Sequence, residues 1–368
     1  MRAEKARRAP WAIALLGFSG LLLGLSANSL AQSAARFNRT TFTSFDVPGA
    51  VGTTAGAINP AGQIAGSYFQ ISTRSGEVDH VNRGYLRNPD GTIITFDVPG
   101  STDTFVTGIN SAGQIVGSYL DRGNFQHGFL RDPDGTITSF DPPGVAIVTS
   151  AWAINPAGQI VGDYYGVSEA CGGVCLRGFL RDPDGTIVSF DVGSVATFAN
   201  AINPAGQIVG VYRDTNDAGH GFLRNPDGTI AFFDVPGGGT HDNQGTWFSW
   251  INPAGQIAGG YIDAGDGAHG FLRTRDGTIV TFDVPGAVGT YVSGINPVGQ
   301  IVGTYNAVGS HGFVRNPDGT IITIDVPGSV FTGVSDINPA GQIVGFYVDA
   351  GGVAHGFVSS RHFVSSRH

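Results

Sequence analysis

Lysine is all but missing from this chain: Lys5 is the only one, and 13% of the 368 residues are charged, against about 25% in an ordinary domain. Arginines are scattered one or two per stretch, so no basic patch exists to neutralise phosphates, which excludes nucleic acid and anionic membrane surfaces as partners. Glutamate is nearly as scarce, with Glu77 and Glu169 the only two after Glu4. The 2 cysteines, Cys171 and Cys175, share the short stretch "ACGGVC". A metal centre would need two further ligands that the neighbourhood lacks, and a redox pair normally has two intervening residues, so the spacing reads as a local disulfide. No metal site and no cofactor are expected.

Long apolar runs are also absent, with one exception at the start. Arg2, Lys5, Arg7 and Arg8 precede an apolar run from Trp11 to Leu25, and Ser29-Leu30-Ala31 offers small residues for cleavage. Residues 1–31 therefore read as a secretory signal peptide, since the run falls short of the roughly 20 residues a membrane span needs. Cleavage moves the formal charge from -9 to about -12. With no later apolar segment, the mature chain is expected to be secreted or periplasmic and not inserted in a membrane. Its oligomeric state is not encoded in any motif.

What the chain has in excess is glycine, 58 of 368 residues, more than double the usual share of about 7%. It is organised by repetition. "FDVPG" or a variant begins at Phe45, Phe96, Phe140, Phe190, Phe233, Phe282 and Ile324; "INPAGQI" or a variant begins at Ile58, Ile109, Ile154, Ile202, Ile251, Ile295 and Ile337. The third signature, "HGFLRNPDGTI", has its first glycine at Gly84, Gly128, Gly178, Gly221, Gly270, Gly312 and Gly356. The period of about 46 residues suits a propeller blade and is too long for one solenoid coil.

Each unit reads as four strands. One ends at Ile-Asn, Pro-Ala-Gly turns the chain, and "QIVGDYY" returns; "RGFLR" and "TIVSFDV" form a second hairpin across Asp-Pro-Asp-Gly. Both turns combine an opening Asn or Asp, a proline that presets φ, and a glycine for the left-handed position. After the signal the chain starts with a lone fourth strand, "TTFTSFDVPG", and it finishes with a first, second and third. The pattern predicts an all-β fold, a seven-bladed β-propeller of four-stranded blades closed by the N-terminal strand joining the last blade. Residues 32–358 form this single domain, and 359–368, where "FVSSRH" is written a second time, are expected to be a disordered tail.

Over residues 45–358 the repeats resemble the bacterial extracellular repeat family named for its His-Ala-Phe signature (HAF repeats), whose units carry Ile-Asn-x-x-Gly-Gln-x-x-Gly. This chain departs from it in having His-Gly-Phe, as at His127-Gly128-Phe129, and an Arg after the Leu where the family often has Trp. The resemblance implies an exported, propeller-like repeat protein and implies no chemistry.

Spacing separates scaffold from site. From Gly84 to Phe96, and from each equivalent glycine to the next Phe or Ile, the count is always 12, whereas Ile-Asn to that glycine varies between 17 and 26. Constant hairpin turns should therefore occupy one rim and variable connections the other, where loops bear function. His127, His220, His269, His311 and His355 share a position with Arg83 and Arg177, so they read as structural polar contacts rather than metal ligands. The aspartates Asp46, Asp97, Asp141, Asp191, Asp234, Asp283 and Asp325 read as carboxylates that accept backbone N–H groups at strand ends.

The longest fourth-to-first connection breaks the pattern with "GGGTHDNQGTWFSW". His241, Asp242, Asn243, Trp247 and Trp250 are the candidate ligand-binding residues, aromatic faces beside polar groups that suit a glycan or protein ligand. The alternative is that the two tryptophans plug one end of a blade. The expected function is a non-enzymatic exported scaffold for ligand binding or protein interaction. The competing one is a carbohydrate-active hydrolase or lyase using non-repeated residues such as Glu77, His80, Glu169, His241 and Asp242.

Overall fold

A computed structural model describes residues 41–360 except 75, 76, 170, 194 and 242. The expected signal peptide and residues 361–368 of the expected tail lie outside the described residues. Every regular element described is a strand. β1 (Phe42–Phe45) precedes a first group of four, β2 (Gly52–Ile58), β3 (Ile64–Arg74), β4 (Glu77–Arg87) and β5 (Ile93–Phe96). Group 2 is β6 (Asp103–Ile109), β7 (Ile115–Leu120), β8 (Gln126–Arg131) and β9 (Ile137–Phe140). Group 3 is β10 (Val145–Ile154), β11 (Ile160–Ser168), β12 (Gly173–Arg181) and β13 (Ile187–Phe190). Group 4 is β14 (Ala196–Ile202), β15 (Ile208–Arg213), β16 (Gly219–Arg224) and β17 (Ile230–Phe233). Group 5 is β18 (Gly245–Ile251), β19 (Ile257–Ile262), β20 (Ala268–Arg273) and β21 (Ile279–Phe282). Group 6 is β22 (Gly289–Ile295), β23 (Ile301–Ala307), β24 (Gly309–Arg315) and β25 (Ile321–Ile324). The chain ends on β26 (Phe331–Ile337), β27 (Ile343–Val348) and β28 (Ala354–Ser359), and β1 supplies the fourth strand of this group 7 by pairing antiparallel with β28.

Group 4 shows why these residues fold this way. Asn203 N–H donates to Gln207 O and Gly206 N–H to Asn203 O, both at 3.0 Å, with Gly206 at φ +77. Asn225 and Gly228 repeat this geometry in the β16–β17 turn. Both are the type I turns with a left-handed glycine expected from Asn-Pro-x-Gly. The pairing slips by one residue between Ala199 and Ala201 of β14, and Gly210 lies opposite that bulge. A Cβ there would sit 1.9 Å from Phe198 O and 2.7 Å from the Phe222 ring. The second glycine of Ile-Asn-x-x-Gly-Gln-x-x-Gly is thus a place where backbone and aromatic ring both close in. Consecutive strands within each group run antiparallel, which puts the constant turns at one end and the variable connections at the other.

Contacts between groups repeat as faithfully as those within them. Asn59, Asn110, Asn155, Asn203, Asn252 and Asn296 each donate Nδ2–H to the carbonyl of the corresponding Asn in the next group, and Asn338 donates to Asn59 O, returning the series to its start. The same Nδ2 reaches the Gln four residues on, and each Oδ1 accepts that Gln's backbone N–H. Behind this cycle the arginine of each "FLR" lies over the "FD" phenylalanine of the preceding group, from Arg87 over Phe45 at 4.8 Å to Arg315 over Phe282 at 4.9 Å. A desolvated pair of this type contributes about 1–2 kcal/mol. Phe129, Phe179, Phe222, Phe271 and Phe313 are fully buried, each edge-on or tilted against the "FD" phenylalanine of the preceding group.

Two of the variable connections are extended hairpins. Around Glu77, β3 and β4 continue their pairing to Arg74 opposite Glu77. The β11–β12 hairpin is likewise extended and carries the Cys171–Cys175 disulfide at its tip. β28 runs through Ser359, whose Oγ accepts the Ile343 N–H, so the last strand passes residue 358 by one.

Candidate functional site

The variable rim carries one His–Asp or Arg–Asp contact per group. In register, Gly128 of β8 faces Phe140 of β9, so His127 and Asp141 are the next cross-strand neighbours, and His127 Nδ1–H donates to Asp141 at 2.7 Å. His220 pairs with Asp234 at 2.7 Å, His269 with Asp283 at 2.9 Å, His311 with Asp325 at 2.8 Å and His355 with Asp46 at 3.0 Å. Arg83 meets Asp97 and Arg177 meets Asp191 at the same place. This corrects the expectation that the "FD" carboxylates accept backbone N–H groups: their partners are side chains, because the strand register sets the two positions side by side. The signal was present as a fixed separation of 14 residues between the His or Arg and its Asp in six of the seven pairs, the exception being His355 with Asp46 across the chain ends.

Each histidine is held on further sides. Its ring lies against a tyrosine of the second strand, as with His269 and Tyr261 at 5.0 Å between centroids. In four groups Nε2 faces a second carboxylate; His269 Nε2 is 3.2 Å from Asp263. Asp263 is itself fixed by accepting the Gly265 and Gly267 N–H groups, both at 2.8 Å. Burial works against the charged ring of His269, but hydrogen bonds to Asp283 and Asp263 outweigh it and raise its pKa. The Gly267 N–H, followed by His269, holds the Asp263 carboxyl low. A ring clamped at both nitrogens has no lone pair left for general-base work.

Between groups 5 and 6 the rim opens into a cleft of about 200 Å³. Trp247 and Phe248 of β18, Ile262 of β19, His269 of β20, and Tyr291 and Val292 of β22 line it. Trp247 is 42% exposed and Tyr291 37%. Two polar side chains of the walls are engaged inside the protein: Thr290 Oγ1 accepts the Val284 N–H, and His269 holds its two aspartates.

The structure divides the candidate residues. Trp247 forms the cleft. Trp250 packs into the hydrophobic clusters of groups 5 and 6, beside Ile251 and Val292, so the plugging alternative describes it. His241 is exposed, with its carbonyl accepting the Gln244 N–H, and Asn243 is exposed at φ +66 with its N–H on Asp217 O. Asp242 lies outside the described residues. Glu77 opens β4; His80 sits on β4 and Glu169 beyond β11, and neither of these two lines the cleft. Phe248, Tyr291 and His269 were missed by sequence reasoning because each occupies an ordinary repeat position.

Two buried acids lie away from the rim. Asp163 is fully buried, which pushes its pKa up to about 7 against the Trp152 indole hydrogen bond that lowers it. Asp336 accepts the N–H groups of Ile58 and Ile337, and burial raises its pKa to about 6 despite them.

No protein-family model matches the chain, and no curated protein matches it. Solved structures do. Virginiamycin B lyase from Staphylococcus aureus aligns with a TM-score of 0.58 at 13% identity, over 87% of this chain and 99% of that one. The β-propeller domain of the Trilobed protease from Pyrococcus furiosus gives 0.62 at 11%, over 84% and 94%. The Dos1 propeller gives 0.51 at 11%, over 88% and 95%. At such identities the likeness concerns fold alone: this chain is an all-β protein of propeller type. Among the described residues no helix is long and apolar enough to cross a membrane.

Proposed function

We propose that this protein is an exported, closed seven-bladed propeller of the HAF repeat type, and that it works as a non-enzymatic binding scaffold through the cleft at Trp247. Closure is supported by the β1–β28 pairing and by the asparagine cycle that runs from Asn59 back to Asn59. Export is supported by the basic and apolar start of the chain and by the Cys171–Cys175 disulfide, a bond that persists in oxidising compartments.

The single observation that carries the binding reading is the cleft itself. It exposes Trp247 and Tyr291 beside apolar walls, and no carboxylate is among the described residues that line it, which suits an apolar group of a ligand. A hydrolase or lyase would need at least two free ionisable side chains converging on a reacting atom. Among the described residues that line the cleft there is no carboxylate; the ionisable groups are His269, bound at both nitrogens, and the phenols of Tyr261 and Tyr291.

A printed array of glycans and peptides tests the reading. Binding should fall at least about tenfold on Trp247→Ala, the change expected when a central aromatic contact is lost, with the melting temperature unchanged. Retained binding at a folded Trp247→Ala variant removes the cleft from consideration.

A further inference from the structure

The charges around the cleft are one-sided. In groups 1 and 3 the rim aspartate faces an arginine, Arg83 or Arg177, and the pair is neutral. In groups 4 to 7 that arginine is replaced by histidine, and the aspartates remain turned to solvent: Asp234, Asp283, Asp325 and Asp46 have side chains 74%, 54%, 47% and 49% exposed. Asp263 and Asp266 add carboxylates at the β19–β20 connection, next to His269 on the cleft wall. The arginine described on this part of the rim, Arg213, is turned onto Asp217. The rim also carries exposed apolar side chains just before β22 and between β23 and β24, Val288 at 81% and Val308 at 99%.

An apolar cleft framed by carboxylates that outnumber the histidines and the one arginine paired with them is complementary to one kind of surface. We propose that the occupant is a polypeptide segment with an aromatic or aliphatic anchor flanked by lysine or arginine. This deepens the cleft reading and rests on it. The anchor enters between Trp247 and Tyr291, where it displaces water from apolar walls, and the flanking cations meet Asp266 and Asp283 on one side and Asp325 on the other. Such charges steer encounter and select among partners, while the buried anchor supplies most of the affinity. An anionic lipid surface is repelled by the same carboxylates, and a neutral glycan gains nothing from them.

A random dodecapeptide library displayed on phage and panned on the whole protein provides the probe. Enriched sequences should place two or more Lys or Arg within a few residues of one apolar anchor. Synthetic versions should bind at least about tenfold more weakly to Trp247→Ser. They should bind about fivefold more weakly to the Asp266→Asn/Asp325→Asn variant at low salt, with the difference vanishing at high salt. Asn tolerates the left-handed backbone that Asp266 adopts at φ +64, so this variant should fold, and Trp247→Phe should restore part of the binding. Enrichment of uncharged or acidic peptides that still depend on Trp247 overturns the cationic class and leaves the cleft reading standing. Peptides indifferent to Trp247→Ser, or no enrichment at all, overturn both.

Discussion

At the scale of single residues, the repeated Ile-Asn-x-x-Gly-Gln-x-x-Gly stretch is a set of steric and hydrogen-bonding requirements rather than a recognition motif. Gly210 and Gly158 make the point by contrast. Gly210→Ala drives a methyl group into Phe198 O and the Phe222 ring, with backbone that cannot yield, so thermal unfolding should show a loss of about 3 kcal/mol or more. Gly158→Ala meets only the ends of the Gln114 and Pro183 side chains, and its positive φ makes the cost about 1 kcal/mol. Asn203→Ala removes the inter-group bond to Asn252 O and orphans the Gln207 N–H, which should cost about 2–4 kcal/mol in the same assay. Asp163 yields a prediction in pH. Its folded pKa of about 7 lies above the ordinary carboxylate value, so its contribution to stability is complete below about pH 4 and is lost as pH rises through 7. Asp163→Asn should therefore raise the melting temperature at pH 8 and leave it nearly unchanged at pH 4. A variant that is no more stable than the parent at pH 8 contradicts the assignment.

At the scale of strands and hairpins, the chain was legible wherever a local backbone rule was at work. Asn203-Pro204-Ala205-Gly206 encodes its own turn, because proline fixes one φ and glycine admits another. The long β3–β4 hairpin was not legible as strand, since Ser72, Thr73 and Arg74 carry no apolar alternation. Contacts between groups were hidden for a different reason. Nothing in the order of residues states which group stands beside which face, so neither the asparagine cycle nor Arg224 over Phe190 could be read in advance. The candidate site divided along the same line: Trp247 stood out as an aromatic residue where the repeat breaks, while Tyr291 came from the next group and His269 was masked by its structural role. The disulfide is an element-scale device. It closes a loop of only five residues, so Cys171→Ser/Cys175→Ser should cost about 2 kcal/mol or less. Faster amide exchange should appear at the β11–β12 tip and nowhere else; a global loss of protection would contradict this local role.

At the scale of the whole molecule, the account describes a uniform scaffold with one differentiated rim. Constant turns, buried phenylalanines and stacked arginines recur from group to group, and they leave the variable connections free to differ in length, charge and apolar exposure. Everything about the rim depends on the first strand completing the last group, because that pairing gives the neighbours of groups 1 and 7 the same support as every other pair. The cross-strand positions Thr43 and Val358 lie directly opposite in β1 and β28. Cysteines at both positions, in a chain oxidised at low protein concentration, provide the most direct measurement. The account predicts an intramolecular disulfide that forms in nearly every molecule and raises the melting temperature. Free thiols in the folded protein, or cross-links found only between molecules, would contradict it.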